Sequence, residues 1–73
     1  MKLSELKPDQ RGRVKSLGEE EHFLSRIMSI GLTEETSFQV VRCDRNMPVL
    51  IYARETLLAI SRADSEKIEV EGE

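Results

Sequence analysis

The side chains in this 73-residue sequence with chemistry for metal or proton work are few: Glu19, Glu20, Glu21, His22 and Cys43. Glu19 and His22 stand three apart, so on a helix they share a face and could form a weak surface metal site. Nothing extends that pair. The nitrogen and sulfur ligands are one histidine and one cysteine, with no CxxC and no HExxH. A ferrous site draws on several His and carboxylate ligands in fixed geometry. An acidic run at the start of a helix is better explained as complementing the unpaired amides and positive dipole end there. Cys43, at the end of an apolar strand, reads as a small buried hydrophobe. No metal ligand, cofactor-binding residue or catalytic residue is assigned. His22 has no recognisable nucleophile near it, and no G-x-x-x-x-G-K-[ST] phosphate loop is present. The expectation is a protein that is not an enzyme.

Composition narrows the remaining classes. The formal charge is −3, with Lys+Arg 11 against Asp+Glu 14, which disfavours a nucleic-acid footprint and docking on an anionic membrane. Lys2, Lys7, Arg11, Arg13 and Lys15 concentrate early in the chain, a pattern that a solvated mixed-charge face explains. Aromatics are limited to Phe23, Phe38 and Tyr52, too few for a base-stacking platform or a proline-peptide groove as well as a core. One cysteine allows no internal disulfide and fits the cytoplasm. The polar N-terminus lacks a secretory h-region, and no apolar run approaches membrane-spanning length.

The elements that would position any site can be read in order. Leu3 and Leu6 suit a short arm or single turn tucked onto the core. Lys7-Pro8-Asp9-Gln10 is turn chemistry. Arg11 to Leu17 is a strand with Val14 inward, and Gly12 marks a bulge or a close approach. Gly18 breaks the chain. Helix capping is open to Gly18 or to a Ser16/Glu19 capping box. Phe23, Leu24, Ile27, Met28 and Ile30 then make one apolar helical stripe, and Gly31 stops it in a left-handed cap with Leu32 folding back. Thr36 to Cys43 is strand. Asp44-Arg45-Asn46-Met47 is a hairpin loop. Val49 to Ala53, apolar at nearly every position, is expected to be central and covered on both faces. A turn at Arg54-Glu55-Thr56 leads to a strand at Leu57 to Ile60, Ser61 caps a single helical turn, and Lys67 to Val70 closes the sheet. The expectation is a mainly β fold: one domain over residues 1–73, a small barrel of about five strands with one amphipathic helix inserted after the first core strand, and a solvated tail at residues 70–73.

This arrangement resembles ferrous iron transport protein A, the small FeoA-type companion of the bacterial ferrous-iron permease. Arg26, Ile27, Ile30, Gly31, Leu32, Thr36, Val40, Val41 and Arg42 stand where that family has an arginine, aliphatic residues around a glycine, a turn Gly-Ser/Thr and a strand ending Val-Val-Arg. Asn46-Met47-Pro48, Val49 to Ala53, Leu57 to Ile60 and Ile68-Glu69-Val70 follow its second half. Glu35 replaces the usual turn glycine, and Asn46-Met47 replaces Gly-Asp. The resemblance implies an SH3-like barrel and a cytosolic accessory role in ferrous iron uptake, through contact with the permease's cytosolic GTP-binding region. Since no phosphate loop is present here, that partner would hold the nucleotide. A similar pattern in the C-terminal SH3-like domain of iron-dependent repressors gives an alternative, a regulatory domain. An Fe(II) carrier is a third reading.

With the chemical inventory nearly empty, function falls to shape. The helix stripe with Leu32 is wide for a small barrel, so Leu24 and Met28 are expected to stay partly exposed. The docking face is assigned to the helix, its Gly31 corner and the next hairpin loop, as Leu24, Met28, Ile30, Gly31, Leu32, Asn46 and Met47. Oligomeric state is left open by the sequence.

Overall fold

The computed structural model describes the whole chain, Met1–Glu73. Five strands, β1 (Arg11–Ser16), β2 (Ser37–Arg42), β3 (Val49–Ala53), β4 (Thr56–Ile60) and β5 (Glu69–Gly72), form one antiparallel sheet in the order β4-β3-β2-β1-β5. Helix α1 (Glu21–Ser29) is inserted between β1 and β2, and the four-residue α2 (Arg62–Ser65) between β4 and β5. A single 3₁₀ turn at Leu3–Glu5 precedes β1. The first strand pairs with both the second and the last, so the sheet bends around a single core. Register breaks at Val14/Ser16 and at Val40/Arg42 supply the local twist such bending needs.

Sixteen hydrophobic residues fill that core, among them Leu3, Phe23, Ile27, Leu32, Val40 and Ile51. Strands contribute alternate positions, as a sheet with one covered face requires. In β3 this overturns the expectation of burial on both faces. Val49, Ile51 and Ala53 are buried, Leu50 is half-buried and Tyr52 is 48% exposed. The run is apolar because one side fills the core while the other stays open to solvent.

Both halves of the N-terminal expectation hold. Lys2 bridges Glu69 in extended conformation, and the turn that follows buries Leu3 and Leu6. The far end differs. Three of the residues expected as a solvated tail, Val70, Glu71 and Gly72, belong to β5, where Gly72 pairs with Gly12 and Glu71 with Arg13. Val70 is buried in the core while Glu71 and Glu73 stay exposed, and the backbone through Gly72 is held in the ladder.

Candidate docking surface

The observed cap of helix α1 lies two residues after Gly18 and four after Ser16, the two expected caps. Glu20 is the N-cap: its carboxylate accepts the Phe23 backbone N–H at 2.7 Å. Ser16 instead accepts the Gly18 N–H through its hydroxyl (3.1 Å) and shapes the approach. The Phe23 bond holds the Glu20 carboxyl below its ordinary range; desolvation opposes it, and the His22 amide and the His22 and Lys67 charges add lesser lowering effects. Gly31 closes the helix at φ +102°, in the left-handed region where a side chain is costly. The Leu32 N–H then returns to Ile27 O at 3.3 Å, and Leu32 swings wholly into the core.

The corner beyond Gly31 is pinned by hydroxyls. The Thr36 hydroxyl receives the Thr33 backbone N–H (3.2 Å) and lies 3.0 Å from the Thr33 hydroxyl. The Arg54 guanidinium, reaching from the β3–β4 turn, donates to Thr33 Oγ1 at 3.0 Å and to Thr36 Oγ1 at 3.4 Å. On the other flank Arg26 donates to Asp64 Oδ1 at 2.9 Å, tying α1 to α2. The buried Phe23 ring carries the Arg26 guanidinium 5.6 Å and the Lys67 ammonium 5.3 Å from its centroid.

On this frame Phe23 and Ile27 face the core, and Leu24 is half-buried. Met28 is 52% and Ile30 41% exposed. Leu24 and Met28 line a pocket of about 360 Å³ with Leu17, Gly18, Thr33 and Glu34. Asn46 and Met47 are exposed in the β2–β3 loop, where Met47 borders a different pocket with Arg42, Pro48, Leu50 and Ala59. The two pockets share no residue. Two parts of the expected docking face therefore change. Leu32 is fully buried and shapes the surface from beneath without being available to touch a partner. Met47 lines a pocket of its own, separate from the one at the helix. The residue that sequence reasoning missed is Leu17, a buried strand-end leucine that floors the pocket. Its position just before the Gly18 break was the available signal.

Cys43 is half-buried, with Arg62 Nη1 3.3 Å from its Sγ and the thiol directed at Ser4 O, 3.6 Å away. His22 and Glu19 are exposed, and no group of three or more His, Cys, Asp or Glu side chains is assembled that could hold a metal ion. No helix is long and apolar enough to cross a membrane.

The FeoA domain model matches residues 1–72. The chain belongs to the FeoA family. A solution structure of FeoA from Chlorobium tepidum is 33% identical, with a TM-score of 0.82 over 99% of this chain and 70% of that one. A crystal structure of an iron uptake regulatory protein, also FeoA, is 23% identical, with a TM-score of 0.93 over 100% of this chain and 97% of that one. Stenotrophomonas maltophilia FeoA, solved with zinc, is 20% identical, with a TM-score of 0.73 over 97% and 89% of the two chains. That protein is described as a procaryotic SH3 domain protein possibly acting as a ferrous iron transport activating factor. The fold here is accordingly an SH3-like barrel, and the FeoA family places the chain among the accessory proteins of ferrous iron uptake. The same fold occurs in T. acidophilum IdeR, a manganese-dependent transcriptional repressor and the manganese regulator SloR. Those likenesses are at 14 to 16% identity and cover 34 to 40% of those chains, with TM-scores of 0.87 to 0.88. No curated protein matches the chain.

Proposed function

We propose that this chain is a cytoplasmic adaptor that modulates a membrane ferrous-iron permease by binding its cytosolic GTP-binding region. The observation that carries the reading is the surface pocket at Leu24 and Met28, where apolar side chains stand beside Gly18, Thr33 and Glu34. It sits on a domain whose other chemical resources are an isolated His22 and a half-buried Cys43. Exposed, contiguous apolar surface of this kind marks a partner site, and methionine adapts to an irregular partner. Ile30 and the Gly31 corner extend the contact along the end of the helix. Asn46 and Met47 form a second, separate point of contact.

A pull-down with the permease's cytosolic domain, run with GTP, with GDP and without nucleotide, tests the reading. Leu24→Gln and Met28→Gln are expected to abolish capture while the far-UV spectrum stays unchanged. Capture that survives both substitutions in folded protein removes the pocket from the interface. The fold likeness to the metal-dependent repressors supports a second reading, a stand-alone regulatory domain acting on a transcription factor. A gel shift that requires both iron and this chain would favour it. An Fe(II) carrier would instead give stoichiometric heat in an anaerobic calorimetric titration.

A further inference from the structure

The sheet has two edges, and they are finished differently. At the β5 edge the N-terminal arm supplies a partner: the Leu3 N–H donates to Ile68 O at 3.0 Å and the Val70 N–H to Met1 O at 2.8 Å. The β4 edge has no such cover. Ala53 faces Thr56 across the tight β3–β4 turn. Antiparallel alternation then aims the backbone groups of Thr56, Leu58 and Ile60 at β3 and those of Leu57 and Ala59 outward. None of the turn, loop and cap backbone hydrogen bonds involves Leu57 or Ala59.

Proteins normally blunt such an edge with charge, proline or a bulge. Thr56-Leu57-Leu58-Ala59-Ile60 carries neither charge nor proline. Its register with β3 runs unbroken, whereas the β1–β5 and β2–β3 pairs each contain a shift. Leu57 is 57% exposed and stands beside Tyr52 across the strand pair.

The geometry points to β4 as the pairing edge for a second copy of this chain, antiparallel, with the two-fold axis through Leu58. In that register Leu57 of each copy opposes Ala59 of the other, and every outward N–H and C=O of the two strands finds a partner. Moving two residues one way sets Ala59 against Glu55 of the turn. Moving two the other way sets Leu57 against Ser61, where the strand has ended. A one-residue slip would join the outer face of one sheet to the inner face of the other. Charge at the strand ends agrees with the central register. Glu55 takes part in none of the ion pairs, and Arg62 faces the Cys43 sulfur, not a carboxylate. Antiparallel pairing carries each Glu55 to the Ser61–Arg62 end of the other copy. That complementarity favours a second copy over an unrelated extended segment. The proposal is independent of any contact made through the Leu24–Met28 pocket, which the strand pairing does not use.

Sedimentation equilibrium on the intact chain, from micromolar to millimolar concentration, tests the pairing. The expected mass rises from 8.4 kDa towards twice that value, and amide exchange at Leu57 and Ala59 slows as concentration increases. Leu57→Lys and Ala59→Pro, checked for fold by circular dichroism, are expected to weaken self-association at least about tenfold, since each removes apolar contact or backbone donors on both strands. Glu55→Arg should weaken it, and Glu55→Arg with Arg62→Glu should restore it. A constant mass of 8.4 kDa throughout would overturn the proposal. Self-association indifferent to the edge substitutions would do the same, as would protection of these amides only when a different protein is added.

Discussion

Gly12 lies directly against the ring of Phe38 across the β1–β2 pair. A β-carbon at Gly12 would stand 3.0 Å from Phe38 Cζ and 2.9 Å from the backbone oxygen of Glu71. The absence of a side chain lets the ring cover β1 while β5 closes on the other side. The Glu71 oxygen is backbone and has little room to yield. Gly12→Ala is therefore expected to destabilise the domain by about 1–3 kcal/mol, the usual cost of overpacking. Urea unfolding reads this as a lower midpoint at unchanged slope.

Glu35 occupies the left-handed region at φ +69°, and its N–H is committed to Val14 O at 2.8 Å. A β-carbon in that region costs about 1–2 kcal/mol. Its ion pair with Arg13, 3.6 Å long and largely exposed, returns little. Glu35→Gly should raise stability by about 1 kcal/mol after allowing for the greater freedom of glycine in the unfolded chain. Thermal unfolding would show a higher Tm, and an unchanged or lower Tm would refute the strain.

The Glu20 cap gives the helix a pH dependence. Because the Phe23 N–H holds this carboxyl below its ordinary value of 4.5, the bond contributes fully above that value. The contribution is lost as pH falls through the lower, folded pKa. Glu20→Gln keeps an acceptor oxygen but cannot titrate. Its stability is expected to fall less steeply than the parent's below pH 4.5, measured by urea midpoints across the acid range.

Thr36 is buried and its hydroxyl serves Thr33 and Arg54. Thr36→Val keeps the shape and removes the acceptor, stranding the Thr33 amide, so it should cost about 1–3 kcal/mol. Exchange of the Thr33 amide should accelerate in the same variant, which separates loss of the corner from a general loss of stability.

The sequence revealed what periodicity controls. The helix stripe, the Gly31 stop, the succession of strands along the chain and the Ser61 cap could be read because each rests on local spacing or on one residue's conformational preference. Leu24 and Met28 were legible as partly exposed because the stripe is wider than one core-facing stripe needs. Three features were not legible. An apolar run such as Val49 to Ala53 looks the same whether one face or two are covered, and the choice depends on what else packs there. Leu32 was placed on the surface because a return after a glycine cap does not say how deep the side chain goes. The last strand was read only as far as Val70: its extension through Glu71 and Gly72 rests on backbone pairing with β1, while the Glu71 side chain faces water.

The pairing of β1 with β5 also sets when the barrel can form. Gly12 meets Gly72, and Val14 meets Val70, so the first strand waits for a partner encoded nearly a whole chain later. Contacts this distant in sequence slow folding. On the ribosome, α1 and the β2–β3–β4 meander can gather early, but the ring of strands cannot close until residues as far as Gly72 have cleared the exit tunnel. Until then the β5-facing edge of β1 and the N-terminal arm lack the partners that the last strand supplies, although β1 can already pair with β2.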